Sequence, residues 1–107
     1  MKKAEVLNAL RATGLVPVLR AESEAQALAL AAAIAEGGVN VLEITMTVPG
    51  AIQVMRKLAQ ARPDLLIGAG TVLDAETARM CILEGAAFVV SPALNLKTIA
   101  MCHRYSV

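Results

Sequence analysis

Four short apolar runs, each followed by a helix-forming stretch, recur along the chain at nearly even intervals. The runs Leu15–Leu19, Val39–Ile44, Leu65–Ala69 and Ala87–Val90 begin about 24 residues apart, enough for one strand, one helix and two short loops. Glu36-Gly-Gly-Val-Asn-Val-Leu-Glu43 is echoed two units later by Glu84-Gly-Ala-Ala-Phe-Val-Val-Ser91. A strand that is apolar throughout is buried on both faces. A strand–helix–strand connection of this length makes parallel neighbours through right-handed crossovers.

The stretches between the runs carry helix signals. A lead-in helix is expected over residues 4–13, with Val6, Leu7 and Leu10 on one face. Ser23 followed by Gln26 is a capping box, and the helix it opens stops at Gly37-Gly38. Pro49 opens a helix over about 49–61 that Pro63 closes. Asp74 caps a third that ends near Gly85, and Asn95 caps a fourth over about 96–104. Pro17 suits an edge or bulged strand better than a central one. The fold class is therefore α/β: one domain over residues 1–107, a lead-in helix and then the (β/α)4 half of a TIM-type (β/α)8 barrel, with a parallel four-stranded sheet. The same pattern also permits a small flavodoxin-like open sheet.

Composition agrees with close-packed helices on a parallel sheet. Hydrophobic residues make up 57 % of the 107 and aromatics only 2 %, Phe88 and Tyr105. A β-sandwich would carry more aromatics and more frequent turns. Net charge is +1 with no basic run, which excludes the electrostatic footprint of a nucleic-acid binder. The apolar run Ala27–Ala35 is too short to cross a bilayer, so no membrane partner is expected. Lys2-Lys3 lacks the apolar stretch of a secretory signal behind it. Cys81 and Cys102 read as reduced core thiols, which points to the cytoplasm. With one histidine and two separated cysteines, no metal site and no cofactor are expected.

Strand parity selects candidate site residues. Alternate side chains share a face, which groups Val16, Val18 and Arg20; Val41, Glu43 and Thr45; Ile67, Ala69 and Thr71; and Phe88, Val90 and Pro92. On that expectation Arg20, Glu43 and Thr71 stand toward the carboxyl ends of the strands, where parallel α/β folds place their sites. Glu43 is flanked by Val41, Leu42 and Ile44. A carboxylate among such neighbours is costly unless paired or wet, and burial raises its pKa toward that of a useful acid or base. The structural alternative is a Glu43–Arg20 ion pair between neighbouring strands. Arg20 can grip a carboxylate bidentately. Gly68-Ala69-Gly70-Thr71 leaves a strand end without bulk, open to a ligand or a neighbouring backbone. It lacks the third glycine of a dinucleotide fingerprint. Ser91-Pro92 sets a rigid apolar edge at the fourth strand end. Asn95 reads as a cap and His103, near a helix C-terminus, as a dipole-compensating or surface residue.

Four segments in order, Val16-Pro-Val-Leu-Arg20, Glu36 to Pro49, Ile67-Gly-Ala-Gly-Thr-Val72 and Phe88-Val-Val-Ser-Pro92, resemble the 2-keto-3-deoxy-6-phosphogluconate (KDPG) / 4-hydroxy-2-oxoglutarate (KHG) aldolase family. The resemblance covers the amino-terminal half of the family's barrel. It implies a class I, Schiff-base aldolase that cleaves such acids to pyruvate and an aldehyde. Glu43 would be the catalytic acid/base. Arg20 and Thr71 would hold the carboxylate of the keto acid, and Pro92 would pack against the substrate. Thr47 stands where many members carry a carboxylate-binding arginine, a role Arg20 would then fill. The family's Schiff-base lysine, on the sixth strand, and its phosphate loops, after the seventh and eighth, have no counterpart in these residues. Lys2, Lys3, Lys57 and Lys97 are the lysines present, so these residues alone are expected to be inactive. Alternatively, the chain is a non-catalytic half-barrel. Two unpaired parallel edges would then invite association into a homo-oligomer.

Overall fold

The computed structural model describes all residues, Met1–Val107. Its elements run α1 (Lys3–Thr13), β1 (Val18–Leu19), α2 (Glu24–Glu36), β2 (Val41–Thr45), α3 (Ala51–Ala61), β3 (Leu66–Gly70), α4 (Ala75–Leu83), β4 (Phe88–Val89) and α5 (Leu96–Arg104). Three of the four helices after the first start at a side-chain cap. The Ser23 hydroxyl accepts from Gln26 N at 3.1 Å. The Gln26 side chain reaches past the cap to accept from Glu22 N at 2.7 Å. Asp74 accepts from Thr77 N at 2.7 Å, and Asn95 from Thr98 N at 3.0 Å. These caps satisfy amides that have no partner within their helices. α3 differs from expectation: it begins at Ala51 after Gly50 in a left-handed conformation, and Pro49 belongs to the preceding turn. Glycine is what that turn requires.

All strands are parallel, and their order in the sheet, β1-β2-β3-β4, is the order in the sequence. With right-handed crossovers, steady progression in one direction puts every connecting helix on the same face of the sheet. A flavodoxin-like sheet reverses direction and carries helices on both faces. The observed order therefore excludes the open-sheet alternative.

Packing follows from this. Leu19, Leu42, Ile44, Ile67 and Ala69 join Ala27, Ala31, Val54, Met55, Leu58, Ala78 and Cys81 of the helices in one core of 18 buried residues. Alanines at 27, 31 and 78 bring the helices close against the strands. On the other face a smaller cluster, Val6 of α1 with Val41 and Leu66, closes the amino-terminal end. Beyond that cluster the face is exposed at its β1 edge, where Val18 is 47 % exposed, while Glu43 and Thr45 of β2 stay buried.

The outer strands are shorter than their apolar runs. β1 begins at Val18, beyond Pro17, which has no N–H to donate and whose carbonyl accepts from Glu43 N at 2.9 Å. β4 pairs only with β3. Both cysteines are free and buried. No helix is long and apolar enough to cross a membrane, and no group of three or more His, Cys, Asp or Glu stands close enough to hold a metal ion.

Candidate active site

Register fixes which residues share the face away from the helices. Val18 pairs with Glu43, Glu43 with Gly68, and Gly68 with Phe88. The third strand thus contributes Leu66, Gly68 and Gly70 to Glu43's face, while Ile67 and Ala69 lie in the helix-side core. This corrects the sequence parity, which grouped Ile67, Ala69 and Thr71 with Glu43. An apolar run with no polar residue has no sequence mark of which alternate set faces which layer. Thr71 lies past the strand end in a left-handed conformation, φ 56°, so strand alternation does not place its side chain.

Glu43 is 8 % exposed and makes no ion pair. Burial pushes its carboxyl above the ordinary carboxylate range, against the nearby positive charge of Arg20, which pulls the other way. Desolvation dominates because Arg20 follows β1 on an exposed stretch, with water free to screen it. The alternative of a direct Glu43–Arg20 ion pair is therefore not realised; their coupling is longer-ranged. Thr45, fully buried, donates from its hydroxyl to Leu19 O at 3.1 Å. That bond fastens the carboxyl end of β2 to the residue before Arg20, a tie that sequence reasoning had not assigned.

The short residues of β3 have a specific purpose. A Cβ added to Gly68 would run into the Phe88 ring, 2.5 Å from Cδ2. One added to Gly70 would run into Glu43, 2.6 Å from Cδ and 2.8 Å from Cγ. The space expected for a ligand or a backbone is filled by these two side chains. Around the strand ends, Met46 N donates to Gly70 O at 2.8 Å and Val72 N to Val90 O at 3.2 Å, which ties the loops to one another. Asn95, besides capping α5, donates to Leu73 O at 3.3 Å. Ser91 donates to Ala93 O at 2.9 Å, and Pro92 beside it is exposed.

Arg20 directly follows β1 and Thr71 directly follows β3, whereas Glu43, expected toward a strand end, is the middle residue of β2, two short of its carboxyl end. A basic group and a hydroxyl just past two strand ends and a carboxyl with a raised pKa on the strand between them are groups that can bind an anion and transfer a proton. The larger concavity, about 280 Å³, lies elsewhere, beside the open edge of β4 against α5, with Val89, Thr98, Ile99 and Val107 in its wall. Lys57 pairs with Glu24 on the helix layer. Lys97 lines a shallow depression with Ala75, Met101 and Arg104. Lys2 and Lys3 lie at the start of α1.

Comparison with known proteins decides the ancestry. The family described as KDPG and KHG aldolase matches residues 6–107. The chain belongs to this aldolase family. It is 40 % identical over 98 residues to the 2-dehydro-3-deoxy-phosphogluconate aldolase of Haemophilus influenzae, covering 92 % of this chain and 46 % of that protein. It is 41 % identical over 91 residues to the enzyme of the same name from Pseudomonas aeruginosa, covering 85 % and 41 %. The KDPG aldolase of Zymomonas mobilis, solved with 3-phosphoglycerate, superposes with a TM-score of 0.86 at 30 % identity, over 98 % of this chain and 50 % of that one. The KDPG aldolase of Legionella pneumophila, solved with pyruvate captured as a covalent carbinolamine, gives 0.83 at 32 % identity, over 97 % and 49 %. The chain thus spans about half the length of these aldolases, and its sheet is half of their TIM-type barrel.

Proposed function

We propose that residues 1–107 furnish the acid/base and carboxylate-binding half of a Schiff-base aldolase site, which cleaves KDPG or 4-hydroxy-2-oxoglutarate to pyruvate and an aldehyde. The observation that carries the reading is Glu43, nearly buried in the middle of a central strand, with its carboxyl pushed upward despite the longer-ranged pull of Arg20. Such a carboxyl holds its proton closer to neutrality, so it can both give and accept one. It would move protons as an amine adds to the keto carbon, as water leaves the carbinolamine, and as the imine forms. Arg20 would hold the substrate carboxylate, the Thr71 hydroxyl would donate to it, and Pro92 would pack against the carbon chain.

The amine would come from a lysine outside residues 1–107. Lys57 is paired with Glu24, Lys97 lines a depression between α4 and α5, and Lys2 and Lys3 lie at the start of α1. The imine needs such a nucleophile, so these residues alone catalyse no cleavage. Incubation with pyruvate followed by borohydride is expected to leave their mass unchanged. A reduced three-carbon adduct on Lys2, Lys3, Lys57 or Lys97 overturns this division of labour.

A second reading, self-association through the sheet edges, rests on a different observation. β1 and β4 each have one partner strand, and Val18 and Val90 are 47 % and 40 % exposed beside them. Two copies could pair these edges and cover the valines. Light scattering after size exclusion is expected to give a dimer or larger. A folded, monodisperse monomer removes this reading.

A further inference from the structure

We infer that Gly70 is the positioning residue for Glu43: its missing side chain is the volume in which the carboxylate lies, and any larger residue there displaces the carboxylate from its place against β3. The inference rests on the reading of Glu43 as the proton-transfer group.

Glu43 sits opposite Gly68, and Thr45 opposite Gly70, so Gly70 is Glu43's diagonal neighbour, two residues on. Diagonal neighbours are within reach of a long side chain. Glu43 takes that direction. The three atoms nearest to a Cβ at position 70 are its Oε1, Cδ and Cγ. The carboxylate therefore lies against the bare backbone of β3, which shields that side from water.

Backbone conformation does not explain this glycine. Gly14, Gly38, Gly50 and Gly85 adopt positive φ, where side chains are strained, but Gly70 is outside that group. Glycine in the interior of a strand weakens it, and β3 is a central, fully buried strand. What glycine supplies at 70 is room, and the atoms nearest to that room all belong to Glu43. Gly68 is the internal control: it has the same backbone class and the same strand, but its missing side chain makes room for Phe88 instead.

The test compares Gly70→Ala with Gly68→Ala. The Glu43 carboxyl is followed through a pH titration by carbon-13 NMR, and stability is measured with and without Glu43→Ala. In Gly70→Ala the carboxylate is driven toward water, and Glu43 titrates at lower pH than in the parent. In Gly68→Ala its titration stays where it was. The drop in denaturation midpoint caused by Gly70→Ala falls by about half or more in the Glu43→Ala background, while that caused by Gly68→Ala is unchanged. If Gly70→Ala does not fold, the Glu43→Ala/Gly70→Ala variant decides: folding of the double variant supports the inference, and failure of both overturns it. An unmoved Glu43 titration in Gly70→Ala, or an equal penalty with and without Glu43, also overturns it. Lysine trapping by pyruvate bears on the aldolase reading alone, and the titration bears on Gly70 alone.

Discussion

On β2, Leu42 and Ile44 point into the helix layer and are wholly buried, while Glu43 between them points the other way. The same five residues of backbone serve two environments. The helix side is a continuous core that draws on β1, β2, β3 and the helices after them. The opposite side is closed by α1 at its amino-terminal end, buries Glu43 against β3, and is open at its β1 edge, where Val18 and Arg20 lie. The dry side supplies the stability that lets the other side keep a poorly solvated carboxyl. Burial of apolar area is worth about 25 cal/mol per Å², and the helix side has far more of it. The open side can therefore hold a group that costs free energy to fold around.

The largest expected difference between the faces comes from truncation. Leu42→Ala should cost about 2–5 kcal/mol in chemical denaturation, because it opens a cavity the surrounding helices cannot refill. A loss under about 1 kcal/mol would mean that the helix layer is not close-packed.

Thr98 sharpens the comparison at the sheet's edge. It is 4 % exposed, and its hydroxyl has no hydrogen-bond partner. Thr98→Val should raise stability by about 1 kcal/mol, since it removes an unsatisfied buried group of similar shape. A loss would show that the hydroxyl has a partner in solution.

The effect at Glu43 depends on pH. Its folded pKa is raised, so its contribution to stability is fully present below the ordinary carboxylate value and is lost as pH rises through the folded value. Glu43→Gln should therefore stabilise the fold near neutral pH relative to the parent, with the gain disappearing at about pH 4. Equal gains at both pH values would rule out desolvation of a charge as the cause.

The thiols report on the dry face without mutation. Burial pushes the Cys81 thiol up to about 11, so it should resist alkylation in the folded protein and react on denaturation. The smallest effect is expected at Val18, at the exposed β1 edge: at dilution where the chain is monomeric, Val18→Thr should change stability by less than about 0.5 kcal/mol. A larger loss in a concentration-dependent melt would signal that a second copy covers this face.

Much of the architecture was legible because local chemistry and tertiary packing agree. Ser23, Asp74 and Asn95 cap the helices whose starts they mark, and α5 spans the residues that its cap and apolar spacing implied. Glu43 was legible as a site candidate because a carboxyl in an apolar strand has few structural reasons to be there. The face of β3 was not legible. Leu65, Leu66, Ile67, Gly68, Ala69 and Gly70 contain no polar residue to break the symmetry between the two sides. The pairing with Glu43 alone settled it. The role of Thr45 was hidden for a related reason, since its acceptor, Leu19 O, lies 26 residues away in sequence.

The order of strands and helices, the helix caps and the identity of the polar residues at the strand ends were set by the sequence itself, through periodicities and hydrogen bonds that act over a few residues. Three things were settled only by assembly of the sheet: the sequential strand order that puts all helices on one side, the register that lays Glu43 over Gly70, and the separation of Glu43 from Arg20 beyond ion-pair distance. Each depends on which strands meet and in what alignment, and that is chosen by total burial over the whole molecule rather than by any single segment.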